Sequence, residues 1–140
     1  MERYIYTAIF TKEETGEYSI ELKDFDGCIT QGKSLSDGIL MAKDALGIFI
    51  KHLKKTDKDL PAATEPQNTE LKKDQFTTLV DLDYTKYEKE NPESQLHYVF
   101  EKDNEIVILP KHTEDLGPGL IKNIFKKTGL PLDDIDSTTL

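Results

Sequence analysis

The chain opens on alternation. From Arg3 to Thr11, β-branched and aromatic residues alternate with other types, and Tyr18, Ile20 and Leu22 alternate with Ser19, Glu21 and Lys23 beyond the polar "KEETGE". A period of two marks half-buried strands, so these segments predict a hairpin with one wet face. A short third strand, Cys28 to Gln31, is expected after "KDFDG", with Gly27 and Gly32 allowing tight reversals on either side. Then the period changes. Leu35, Ile39, Ala42, Leu46, Phe49, Ile50 and Leu53 recur at spacings of three and four, which predicts a helix with one buried stripe covering the sheet. Ser34 and Asp37 supply its start: a hydroxyl for the first N–H groups and an acid at the positive end.

Charge, Pro and Ala dominate from Lys54 to Asp74, which reads as a linker or ordered loop. "QFTTLVDLDY" restores the strand pattern with Phe76, Thr78, Val80 and Leu82 on one face, and "TKYEKENPES" predicts a short helix ending before Pro92. "QLHYVFEK" and "EIVILPKH" flank Asp103 and Asn104, a hairpin signal. In "EDLGPGLIKNIFKKTGL", Pro118 marks a helix start, Leu120, Ile121, Ile124 and Phe125 its inner face, and Gly129 its C-cap. The order predicts an α+β fold, an antiparallel sheet with one packed helix followed by a small hairpin–helix unit. Two units are expected, residues 1–90 (with the loop 54–74 inside) and 91–140.

Composition narrows the function. The 140 residues suffice for one domain or two very small ones, and the net charge is −9. Residues 1–60 hold 9 basic and 11 acidic side chains and the rest 9 and 16, so neither part suits a free-standing phosphate binder. An acidic surface fits a basic protein partner or simple solubility. Cys28 is the only cysteine, which excludes a disulfide framework and reads as a small buried apolar residue. No phosphate-loop glycine pattern is present, and His52, His97 and His112 are too scattered for a metal set, so no cofactor or metal is expected. Asp24, Asp26, Asp81 and Asp83 read as turn and strand-edge acids, and Asp133, Asp134 and Asp136 as a solvated tail. No run of 18 apolar residues and no basic leader occur, so a cytoplasmic, non-membrane protein is expected.

The stretch "GCITQGKSLSDGILMAKDAL" resembles the hallmark of the HicB family of antitoxins: Gly-Cys, a Thr-Gln-Gly turn, a Ser helix cap and an Ala-rich amphipathic helix. "YTAIFTKEETGEYSIEL" is similar to the family's opening hairpin and "FTTLVDLDYTKY" to its late strand, so the likeness covers roughly residues 1–90. "KDFDGC" departs from it, because the family usually has a Pro-containing turn there. The resemblance implies a partial ribonuclease H-like fold without catalytic carboxylates, which neutralises the mRNA-cleaving toxin HicA by covering its active site. The ribbon-helix-helix or helix-turn-helix that many members use to bind DNA is not evident here.

Beyond residue 90, "LHYVFEKDNEIVILPKHTEDLGPGLIKNIFKKTGL" resembles the second half of HicA itself, half of a fold similar to double-stranded-RNA-binding domains. "PLDDI" is similar to the toxin's usual ending. That resemblance places His97 at the toxin's catalytic histidine, and Lys111 and His112 in its Pro-basic-His segment as phosphate contacts. Gln95 and Leu96 stand where the toxin usually has Gly-Ser, and its first helix lacks a counterpart. RNA cleavage needs a base for the 2′-OH proton and cations for the phosphate. His97 is the candidate base, with Lys122, Lys126 and Lys127 near enough in sequence for a cationic patch. The competing reading makes His97 a half-exposed strand residue and the lysines a solvated helix face.

Three functions stay open at this point. The first is an antitoxin that binds a HicA-type toxin, expected as a homodimer through an exposed edge strand. A second is a fused toxin–antitoxin chain with a latent ribonuclease site around His97, and a third an acidic orphan or phage-borne protein that mimics nucleic acid.

Overall fold

The computed structural model describes residues 1–111 and 117–128. Strands β1 (Arg3–Lys12), β2 (Tyr18–Glu21) and β3 (Ile29–Gly32) lead into helix α1 (Leu35–Lys55). Strand β4 (Gln75–Asp83) and the short helix α2 (Tyr84–Glu90) follow. A second hairpin, β5 (His97–Lys102) and β6 (Glu105–Pro110), precedes helix α3 (Pro118–Thr128). The first four strands form one antiparallel sheet in the order β3-β2-β1-β4, and β5 and β6 pair separately.

Alternation along β1 sends Tyr6, Ala8 and Phe10 into the main core, with Phe10 opposite Ile20 on one side and Phe76 on the other. Phe10, Ile20, Leu22, Leu46 and Ile50 are fully buried, each stabilising the fold by about 1.5–3 kcal/mol. Ser34 Oγ accepts from Asp37 N at 3.1 Å, and Asp37 Oδ2 accepts from Lys33 N at 2.8 Å, so the predicted cap forms. Gly27 has φ +77°, which fits its expected turn role. Gly32 serves a different purpose: a Cβ there would stand 2.5 Å from Gly38 Cα. Backbone touches backbone at this crossing, and only glycine permits it.

α1 is buried on more than one stripe. Leu46 and Phe49 lie in the core as expected, yet Met41, Asp44, Ile48 and His52 are buried as well. The second hairpin explains this, because Ile106 and Ile108 of β6 belong to the same core cluster as α1 and the sheet. Leu35 departs from the expected stripe and is exposed; burial begins where Gly38 meets Phe10 and Ile20. The helix also runs to Lys55, so the loop begins later than its charged composition suggests. That loop is ordered by specific bonds: Tyr6 donates to Pro61 O at 2.6 Å, Thr7 to Thr64 O at 2.8 Å, and Thr64 donates from N and Oγ1 to the Asp24 carboxylate.

The predicted turn at Asp103 and Asn104 has φ of 53° and 66°, the left-handed pair of a tight two-residue hairpin. A second, smaller cluster of Val107, Leu109 and Ile124, with Phe100 against it, joins this hairpin to α3. Leu120 and Ile124 face inward as expected, but Ile121 and Phe125 are exposed. Polar residues take the inward positions instead. Asn123 Nδ2 donates to Gly27 O at 3.1 Å, and Lys127 Nζ donates to Asp26 O at 2.8 Å and Ile106 O at 2.7 Å. Gly129 lies outside the described residues.

Candidate functional site

His97 opens β5 and is 1% exposed, not half-exposed as a solvated strand residue would be. Its Nδ1 stands 2.6 Å from Asp44 Oδ2 and its Nε2 2.7 Å from Thr30 Oγ1. Three elements therefore meet on one imidazole: α1 through Asp44, β3 through Thr30, and β5 itself. Asp44 gathers further donors. Ser94 Oγ donates to Oδ2 at 2.5 Å, and Tyr87 Oη donates to Oδ1 at 2.8 Å. Ser94 Oγ in turn accepts from His97 N at 3.0 Å.

The network sets the electrostatics. Burial pushes the Asp44 carboxyl up, but hydrogen bonds from His97, Ser94 and Tyr87 and the charge of His97 outweigh it, leaving Asp44 below the usual carboxylate range. An ionised Asp44 accepts the Nδ1–H of His97, and Nε2 shares a second hydrogen bond with the Thr30 hydroxyl. Burial first, then the Asp44 charge, pushes the Tyr87 phenol well up, so it remains a donor. A Cβ at Gly47 would lie 2.3 Å from the Tyr87 ring, so glycine is what lets this phenol reach Asp44 across α1.

Carboxylate, imidazole and hydroxyl lie in the order of a nucleophilic triad, yet Thr30 is 1% exposed. A hydroxyl sealed in this way meets no substrate, and what the arrangement does is clamp the hairpin to the sheet and helix. Lys111 follows Pro110, the strand partner of His97, and is held beside the network: its N donates to Leu96 O, its Nζ donates to Ser94 O at 3.0 Å, and it lies over the Tyr98 ring. His112 lies outside the described residues, as do Asp133, Asp134 and Asp136. His52 is buried on α1, bonded through Nε2 to Asn104 O at 2.9 Å. Among the described residues no three His, Cys, Asp or Glu side chains group to hold a metal ion. Of the lysines on α3, Lys127 is turned to Asp26 O and Ile106 O and Lys126 pairs with Asp26 at 3.7 Å, so neither is directed to His97.

Sequence reading missed Asp44, Thr30, Ser94 and Tyr87. One signal was available: Asp44, next to Lys43, falls in the otherwise apolar stretch between Met41 and Ile50, where a carboxylate needs partners. Cys28 is fully buried, and burial raises its thiol far above the ordinary range, so it is inert. Among the described residues no helix is long and apolar enough to cross a membrane.

The family model "HicB_like antitoxin of bacterial toxin-antitoxin system" matches residues 6–95. The UPF0150 protein Ta0767 of Thermoplasma acidophilum is 38% identical over 56 residues, 40% of this chain and 81% of that protein. Among solved structures, a chain of the toxin–antitoxin complex from Streptococcus pneumoniae superposes with a TM-score of 0.57 at 19% identity. It covers 95% of this chain and 93% of its own. The N-terminal domain of Burkholderia pseudomallei antitoxin HicB gives 0.50 at 17% identity, over 57% of this chain and 99% of that one. At these identities the superpositions establish fold alone.

Fold and family match together define the class, a small α+β protein of the kind found in bacterial toxin–antitoxin systems. The chain belongs to the HicB-like antitoxin family.

Proposed function

We propose that this chain neutralises a HicA-type, mRNA-cleaving toxin by protein–protein contact, in the cytoplasm and without a reaction of its own. The observation that carries the reading is the free margin of the sheet. Among the described residues β4 is an end strand, and beside it Ile5 and Leu79 are 42% and 55% exposed. Their register partners, Asp81 and Thr7, make them diagonal neighbours on the face away from α1. Apolar side chains within an acidic surface suit a basic partner, drawn in by charge and held by desolvation. The same open strand supports a homodimer by β4–β4 pairing.

A latent ribonuclease in residues 91–140 finds little support. A general base needs its substrate within hydrogen-bond reach, whereas both ring nitrogens of His97 are occupied inside the core. Mimicry of nucleic acid has only the charge of −9 in its favour.

The deciding experiment is co-expression with a HicA-type toxin encoded beside this chain, followed by co-purification and an mRNA-cleavage assay. A stable complex with cleavage suppressed is expected. A toxin that stays fully active beside a folded excess of this protein refutes the reading.

A further inference from the structure

α1 and β5 do not close on each other along their full length. Ile48, His52 and Lys55, a single stripe of α1, and His97, Val99 and Glu101, alternate residues of β5, line a cleft of about 360 Å³. This volume falls within the range of about 300–1,000 Å³ usual for small-molecule sites. Ile48 and Ile106 give it an apolar floor, and Val99, 41% exposed, keeps hydrocarbon open to solvent.

The wall carries three lysines, Lys51, Lys55 and Lys111, against two carboxylates, Glu93 and Glu101. Lys51 Nζ donates to Pro92 O at 3.0 Å and Lys111 Nζ to Ser94 O at 3.0 Å, so both ammonium groups are brought to the same short loop. Among the described residues neither has a carboxylate within ion-pair distance. Lys55 has only a loose 3.7 Å pair with Glu101, both well exposed, a contact of little energy that a ligand can replace. Such a group of cations runs against a chain of net charge −9.

His52 belongs to the closed part of the wall. It is 9% exposed, and its Nδ1 is the one buried side-chain N or O atom without a partner among the described residues.

We propose that this cleft binds a small amphipathic anion. Its apolar body lies on Ile48, Val99 and Ile106, and its acidic head meets Lys51 and Lys111. No residue of β4 lines this cleft, so it lies apart from the margin on which the proposed toxin contact rests.

The test titrates the full chain at pH 7 with two fluorescent probes, 8-anilinonaphthalene-1-sulfonate and N-phenyl-1-naphthylamine. Both have the fused ring and the N–H; only the first has the anion. Expected is saturable binding at one site per chain, with the sulfonate tighter by about tenfold. The Lys51→Gln/Lys111→Gln double variant should lose about that factor for the sulfonate alone, with its thermal midpoint unchanged. Val99→Asp, which adds a negative charge to the floor, is the second variant should the first fold poorly, and it too should weaken the sulfonate. Equal affinity for both probes, no saturable binding, or variants indistinguishable from the native chain would overturn the proposal.

Discussion

His97 Nδ1 lies 2.6 Å from Asp44 Oδ2, and through that contact a strand late in the chain is fastened to the middle of the long helix. Asp44 also takes hydroxyl protons from Ser94 and Tyr87, so one carboxylate answers three donors. Breaking a buried pair by removing one member costs about 3–5 kcal/mol, because the other is left unpaired. Asp44→Ala should lower the stability from urea unfolding at pH 7 by that order. A loss below about 1 kcal/mol would mean that the cluster is incidental.

Acid should weaken the same clamp. The folded-state pKa of Asp44 is lowered, so its contribution is fully present above the ordinary Asp value of about 4 and disappears as pH falls through the folded value. The urea midpoint of the native chain should therefore fall on acidification below about pH 4, and more steeply than that of Asp44→Asn. Parallel curves for the two proteins would assign the acid sensitivity to other groups, such as the exposed carboxylates Glu2 and Asp81, whose pKa values are also lowered.

The crossing of β3 and α1 offers a sharper comparison. A Cβ at Gly32 meets backbone at 2.5 Å, whereas one at Gly119 meets nothing within 4 Å. Gly32→Ala should cost about 1–3 kcal/mol. Gly119→Ala should be neutral or slightly stabilising, since alanine is the better helix former. Thermal melts of the two variants should separate clearly, and equal melting points would show that the close approach is easily relaxed.

Leu79 tests the margin of the sheet. Leu79→Lys places charge on an exposed position of the end strand and leaves the core untouched, so the melting temperature should hold within a few degrees. Self-association, followed by sedimentation velocity, should weaken by about tenfold. If native and variant chains sediment alike, pairing through β4 is wrong.

Local chemistry made much of the fold legible. Alternation marked β1, β2 and β4, Ser34 and Asp37 marked the start of α1, and Asp103 and Asn104 marked the second turn, each within a few residues. What periodicity cannot show is which element covers which face. Asp44, Ile48 and His52 look like a solvated flank of α1 until β5 and β6 are laid against them. Phe125 looked inward by composition, yet the carbonyls of Asp26, Gly27 and Ile106 required donors, and Asn123 and Lys127 turned that way instead. His97 was singled out from the sequence, but its burial depended on Asp44 and Thr30, 53 and 67 positions away.

Lys127 spans from the last helix to the turn after β2, and its side chain also lies over the Phe49 ring. Amputating α3 would thus do more than shorten the protein. It would strip the donors from three carbonyls and uncover Val107 and Leu109. A fragment ending at residue 111 should therefore be stickier and looser than the parent, and any search for a minimal working piece has to retain the chain through this lysine.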